Sequence, residues 1–248
     1  RIHLDPDICL KGVVNDKPEY ALACNGVYFD KSKQGVLPKI IVQYYDERRL
    51  IKRKMLDAQQ KLEQIDKSDK QLVYSIEREI AIYENQQMAI KILMNSLYGA
   101  LGNKYFRYFD LRMAEAITLT GQTVIRWAEA HVNEFMSKIV GKKADYVIAI
   151  DTDSIYVNFG PLVEKFVKEN EVDTVNQICQ DQFEPMLAKC YEKLHKNFAT
   201  YTPRMEMGRE VIADRGIWTA KKRYILNVHD NEGVRYAEPK LKIMGIEA

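Results

Sequence analysis

From Lys39 to Tyr98 the chain contains no glycine and no proline, and this absence constrains the fold more than any other feature. "IIVQYYDERRLIKRKMLDAQQKLEQI" (40–65) sets apolar residues at helical spacing among good helix formers. "QLVYSIEREIAIYENQQMAIKILMNSLYGALG" (71–102) does the same, with Gly99 and Gly102 expected to end it. Only "DKSDK" (66–70) separates them. Two long helices around a short polar break predict an antiparallel helical hairpin.

The flanking sequence has a different texture. Residues 1–41 mix short apolar runs with turn signals at Asp5-Pro6, Asn15-Asp16-Lys17-Pro18 and Asn25-Gly26, and predict irregular structure with a strand or two. A third helix fits 110–139, an acid-bearing β-hairpin fits 144–159, and a further helix covers roughly 174–198, where Pro185 is expected to kink or divide it. "REVIAD", "KKRYILNV" and "VRYAEPKLKI", the last two joined by "HDNEG", read as strands. The fold class is therefore α+β, with a long antiparallel helical hairpin inserted in a domain that carries an antiparallel sheet. Residues 1–41 precede the hairpin, 42–103 form it, and 104–248 follow.

Bulk properties exclude little. With 37 basic and 35 acidic residues the formal charge is +2, so only local clustering of charge can point to a polyanionic partner. Cys9, Cys24, Cys179 and Cys190 form no C-x-x-C pair and no zinc spacing, which fits reduced structural cysteines. No apolar run approaches the ~20 residues of a membrane span, and the start shows no signal-peptide pattern, so an intracellular protein is expected. The chain starts at Arg1, its first methionine is Met55, and it stops abruptly after "EPKLKIMGIEA"; a piece of a longer polypeptide is the expectation.

"VIAIDTDSIYV" (147–157) places Asp151 and Asp153 one residue apart between apolar runs. Carboxylates so close repel unless a cation lies between them, and Mg²⁺ prefers oxygen ligands. A two-metal phosphoryl-transfer site holds ions ~3.5–4 Å apart and uses such acids as its platform. The alternative is an ordinary Asp-rich turn. The apolar flanks favour the first reading, because they predict a rigid buried scaffold under the acids.

The positive charge has a pattern too. Arg48 and Lys52 share one face of the first hairpin helix, and Lys91, Asn95 and Tyr98 share one face of the second. Counted from the break near Ser68, Arg48 and Lys91 lie ~30–35 Å from the hairpin tip at similar heights. Three cations at one level suit a polyanion of triphosphate size. Taken singly, each is what a solvated helix face carries. In "TAKKRYIL", Lys221, Lys222 and Arg223 enter a strand and could meet a nucleic-acid backbone, or simply water.

In their order along the chain these segments resemble the family B DNA polymerases, most closely the replicative enzymes of T-even-type bacteriophages. "KILMNSLYGALGN" (91–103) resembles the family's fingers motif, "DTDS" (151–154) its palm metal-site motif, and "TAKKRY" (219–224) its primer-gripping motif. The resemblance covers essentially the whole chain. It implies a fingers hairpin within an incomplete palm, and template-directed DNA synthesis by a two-metal mechanism. Lys91, with Arg48 and Lys52 opposite, would bind the triphosphate of an incoming dNTP. Asn95 and Tyr98 would lie by the nascent base pair, and Gly99 would belong to the DNA- and primer-binding set. Asp153 would ligate Mg²⁺ directly, with Asp151 beside it and Glu210 as a third acidic residue of the palm. Lys221, Lys222 and Arg223 would hold the primer of a primer–template DNA.

The same resemblance implies two Mg²⁺ ions completed by a carboxylate outside this chain. The family's Asp-x-x-Ser-Leu-Tyr-Pro segment has no match in residues 1–47, and Asp5-Pro6-Asp7 lacks its continuation. A complementary polymerase chain, carrying the exonuclease and the missing palm motif, would then be a partner. A sliding clamp is implied as well, with its binding site elsewhere. The place of action would be the cytoplasm of an infected bacterial host. The chain alone is expected not to extend a primer. Two other classes compete: a non-catalytic module that binds nucleotide or DNA, and a helical interaction protein. A reverse transcriptase would also use paired acids on a palm hairpin, but "KILMNSLYG" does not fit one.

Overall fold

The computed structural model describes residues 3–246. In chain order the elements are α1 (Pro6–Leu10), β1 (Tyr20–Leu22), β2 (Tyr28–Asp30), α2 (Val36–Gln64), α3 (Lys70–Leu101), α4 (Leu111–Val140), β3 (Val147–Asp151) and β4 (Ser154–Val157). Then come α5 (Gly160–Phe166), α6 (Glu171–Ile178), α7 (Glu184–Phe198), β5 (Val211–Ala220), β6 (Arg223–Asn231) and β7 (Val234–Met244). Long helices with small antiparallel sheets make this an α+β chain, as expected. It divides into two compact units, each described by itself. One comprises residues up to Lys33 with Asp110–Arg209; the other comprises Gln34–Phe109 with residues from Glu210 onward.

In the first unit α4 is the organising element. Asp110 caps it: its Oδ1 accepts the N–H of Arg112 at 2.9 Å, replacing one of the helix's missing hydrogen bonds. Gly141, at φ 79, closes it in the left-handed conformation that glycine adopts without strain. The buried face of α4 supplies Ala128, Val132 and Met136 to a core with Tyr146, Val147, Leu162, Phe183, Leu187 and Tyr191. Trp127, on the same helix, joins a second core with Cys9, Cys24, Cys190, Leu194 and Phe198, and its indole donates to the Cys190 carbonyl at 3.2 Å. Removing one such fully buried aliphatic side chain from water stabilises by roughly 1.5–3 kcal/mol.

In the second unit α2 and α3 form the expected hairpin, closed by a connection at 65–69. Asp69 caps α3 by accepting the Leu72 N–H at 3.0 Å. α2 begins at Val36, earlier than the periodicity suggests. Pro38 is tolerated because the first four N–H groups of a helix have no acceptor within it. The three-stranded antiparallel sheet β5-β6-β7 completes the unit. On one face β6 buries Tyr224, Leu226, Val228 and Asp230. α2 holds β7 through Lys240 Nζ on Glu63 Oε1 at 2.6 Å and the Arg235 N–H on Gln60 Oε1 at 3.0 Å.

Several local expectations need correction. Gly99 does not end α3: the helix continues to Leu101 and Gly102 forms its cap. Pro185 does not divide its helix. A π-helical turn, Cys179–Phe183, joins α6 to α7, and the Glu184 N–H bonds to the Cys179 carbonyl five residues back. The wider turn leaves room for the proline ring at the start of α7, where its missing donor is not needed. α1 is a short helix where irregular structure was expected, α5 adds a short helix after the acid-bearing hairpin, and β5 runs on to Ala220.

Candidate nucleotide and metal site

Asn133 of α4 sets where the acid-bearing hairpin starts. Its Oδ1 accepts the N–H of Tyr146 at 2.7 Å and of Val147 at 3.2 Å, and its Nδ2 donates to Asp145 Oδ1 at 2.8 Å. The Asn158 N–H closes the far strand onto the Tyr146 carbonyl at 2.8 Å. From this base β3 and β4 pair antiparallel in the register Ile150↔Ile155 and Asp151↔Ser154, leaving Thr152-Asp153 as a two-residue turn. Thr152 has φ 56, which a β-branched residue rarely adopts. The Asp153 N–H bonds to the Asp151 carbonyl at 2.7 Å, and Ser154 Oγ donates to the same oxygen at 3.1 Å. Thr152 Oγ1 donates to Asp151 Oδ1 at 3.1 Å.

The turn therefore holds Asp151 half-buried and Asp153 exposed, on backbone already strained into one shape. The scaffold is only half as buried as expected. Tyr146 and Val147 enter the core, but Ile148 is 52% exposed and Ile150 36% exposed on the other face of the ribbon. Among the described residues neither carboxylate has a cationic partner. Also among them, no three His, Cys, Asp or Glu side chains gather into a group that could hold a metal. The donor chemistry of Asp151 and Asp153 fits a hard, oxygen-seeking cation such as Mg²⁺, which takes few protein carboxylates and keeps waters.

In the second unit Arg48 Nε donates to Oε1 of the buried Gln87 at 3.1 Å. This contact sets the register of the hairpin: Arg48 is level with Gln87. Lys91 lies one helical turn beyond Gln87, and Lys52 one turn beyond Arg48 in the opposite direction. The three cations thus occupy successive turns of a ladder about 12 Å long rather than a single level. Lys52 Nζ is paired with Glu232 Oε2 at 2.5 Å, and Lys91 is exposed. Asn95, Tyr98 and Gly99 are also exposed on α3, and a Cβ built on Gly99 would meet nothing within 4 Å.

Lys221 and Lys222 form the two-residue connection between β5 and β6, with Ala220 opposite Arg223. Both lysines and Arg223 are exposed, and Lys222 is left-handed at φ 63. Gly245 backs this turn: at φ +63 it lies so close to the Lys222 carbonyl that a Cβ would collide with it. Glu210 is exposed just before β5, and its carbonyl accepts the N–H of Glu232 at 2.5 Å. The structure thus brings Arg48, Lys52 and Lys91 onto adjoining helix turns. Asp151 and Asp153 belong to the other unit.

Sequence reasoning passed over Asn133, Gln87 and Glu232. Each is a polar residue whose partner is distant in the chain, and no local spacing marks it.

The sequence profile of DNA polymerase family B matches residues 4–247. The DNA-directed DNA polymerase of Enterobacteria phage T4 is 36% identical over 279 residues, covering 92% of this chain and 31% of the phage protein. That of Escherichia phage RB69 is 34% identical over 286 residues, covering 94% and 32%. The DNA polymerase alpha catalytic subunit of Dictyostelium discoideum is 28% identical over 192 residues, 77% of this chain and 10% of that subunit. The chain spans about a third of the length of the two phage relatives, as the shares of 31% and 32% state. A profile match across nearly every residue, with two phage relatives above 30% identity over more than nine-tenths of the chain, leads to one conclusion: the chain belongs to DNA polymerase family B and is of the T4 type.

Proposed function

We propose that this chain takes part in template-directed DNA synthesis, the transfer of a nucleotidyl group from a dNTP to a primer 3′-hydroxyl. The observation that carries the reading is the family match over residues 4–247. The α2–α3 hairpin acts as fingers and the rest as part of a palm. Arg48, Lys52 and Lys91 bind the triphosphate along their ladder. Asn95 and Tyr98 bear on the new base pair, and Gly99 lets the DNA approach the helix backbone. Lys221, Lys222 and Arg223 hold the primer strand. Substrate and cation positioning, together with charge complementarity, supply most of what such a transfer needs.

Asp151 and Asp153 would hold Mg²⁺, with Asp153 the direct ligand and Glu210 a further acid of the same palm. A bound divalent ion supplies Lewis-acid stabilisation of the charge that builds at phosphorus. The remaining carboxylate comes from another polymerase segment, through which the exonuclease and a sliding clamp also join the assembly. The setting is the cytoplasm of an infected bacterium.

Primer extension and DNA binding test this together. The chain alone extends no primer. Supplied with a polymerase segment that carries the Asp-x-x-Ser-Leu-Tyr-Pro carboxylate, it gives Mg²⁺-dependent extension that Asp153→Ala abolishes. Lys221→Ala weakens primer–template binding and lowers the salt slope by about 1. Extension that survives Asp153→Ala removes the metal assignment. DNA binding sensitive to Lys221→Ala, with no extension under any supplement, favours a non-catalytic binding module.

A further inference from the structure

Lys52 already has an anion. Its ammonium lies 2.5 Å from Glu232 Oε2, with the two side chains 27% and 23% exposed. Its neighbours in the ladder differ. Arg48 donates to a neutral amide oxygen of Gln87, and Lys91 has no side-chain partner among the described residues. A carboxylate therefore occupies one rung of a three-cation ladder and leaves the other two charges uncompensated.

The carboxylate comes from a position that disfavours glutamate. Glu232 and Gly233 join β6 to β7 in the register Asn231↔Val234, with φ of 52 and 90. Two left-handed residues define the type I′ hairpin turn, where Asn-Gly or Asp-Gly fits with least strain. A longer L-residue at the first position pushes its Cβ against the backbone. The turn is held by the Glu232 N–H on the Glu210 carbonyl at 2.5 Å, and the side chain meets Lys52 of α2.

We propose that Glu232 is a competing anion that occupies the phosphate seat on Lys52 until a polyphosphate displaces it. This rests on the reading of Arg48, Lys52 and Lys91 as the triphosphate site. The carboxylate pairs with the ammonium that a phosphate would otherwise meet. It also sets a threshold, because an incoming anion must engage Arg48 and Lys91 as well before it can displace a seated carboxylate. A triphosphate offers enough anionic oxygens to do so; a singly charged anion does not.

Titration calorimetry of the full chain at low ionic strength, with inorganic tripolyphosphate as the probe, tests this. Glu232→Gln removes the charge and keeps the shape. Glu232→Asn installs a residue the turn prefers and withdraws the side chain from Lys52. Both variants are expected to bind tripolyphosphate about two- to fivefold more tightly, the range an ion pair of this exposure can supply. The gain disappears when either is combined with Lys52→Ala, and Glu232→Asn melts no lower than wild type. Binding by the Glu232 variants alone also supports the proposal.

Suppose instead that wild type binds, that Arg48→Ala weakens it, and that neither Glu232 variant gains affinity. Glu232 is then a staple between α2 and the sheet, and the phosphate site stands without it. If neither wild type nor the Glu232 variants bind tripolyphosphate, the triphosphate reading fails and takes this proposal with it.

Discussion

At Gly99 an added Cβ would meet nothing, yet the residue sits inside α3, where glycine is a poor helix former. At Gly245 the backbone is left-handed and an added Cβ would strike the Lys222 carbonyl. The two positions predict opposite outcomes. Gly99→Ala should stabilise the fold by about 0.5–1 kcal/mol in urea denaturation and, on the proposed role of Gly99 in DNA contact, still weaken primer–template binding. Gly245→Ala should destabilise by more than about 1 kcal/mol and disturb the Lys221-Lys222 turn. A Gly99→Ala variant that binds DNA as well as wild type would remove the case for close approach at that residue.

At the scale of elements, the acid hairpin depends on one side chain from α4. Asn133 accepts from two backbone N–H groups at the entry to β3, and both belong to buried residues of the strand base. Asn133→Ala leaves the Tyr146 N–H without its side-chain acceptor, while the Val147 N–H keeps Asp145 Oδ1 at 3.2 Å, and should cost about 1–3 kcal/mol of stability, read as a lower melting temperature. The same variant should weaken Mg²⁺-dependent extension in the assembled polymerase more than a destabilised surface helix would. If Asn133→Ala lowers the melting temperature and leaves the Mg²⁺ dependence of extension unchanged, the residue holds the strand without aiming the acids. The π turn before α7 shows the same dependence on tertiary setting: Pro185 marks a local problem, but only the packing of Cys179 and Phe183 into the core decides that the chain solves it by widening a turn.

At the scale of the whole molecule, each unit has its own buried residues, and several carboxylates are held by partners close in the chain. The Arg112 guanidinium holds the Asp110 carboxyl below its ordinary value, Lys138 does the same for Glu134, and hydrogen bonds from Ser32 and Ser68 lower Asp30 and Asp66. A carboxylate depressed in the folded state contributes stability above its unfolded pKa near 4 and loses it as pH falls through the folded value. The melting temperature should therefore start to drop as the pH falls below about 5 and go on dropping below the ordinary carboxylate pKa near 4, and Asp110→Asn should flatten part of that drop. A melting temperature that holds level across this window would show that these pairs contribute little to folding. Among the described residues no helix is long and apolar enough to cross a membrane.

The amino-acid sequence by itself determined the hairpin, because the lack of Gly and Pro from Lys39 to Tyr98 and the polar break at 66–70 act through neighbours in the chain. It also marked the acids, the cations and the basic run Lys221-Lys222-Arg223, whose residue types carry their chemistry wherever they are placed; its pattern predicts that run entering a strand, and the structure makes its two lysines a turn. Tertiary structure alone decided what those groups touch. Gln87 meets Arg48 across 39 residues of chain, and Lys52 meets Glu232 across a far longer stretch. The left-handed turns at Thr152 and Lys222 likewise follow from strand register rather than from preference, since neither residue favours that conformation. Hydrogen bonds and ion pairs between distant residues leave no period in the sequence, so the identity of each partner emerges only when helix and sheet are packed together.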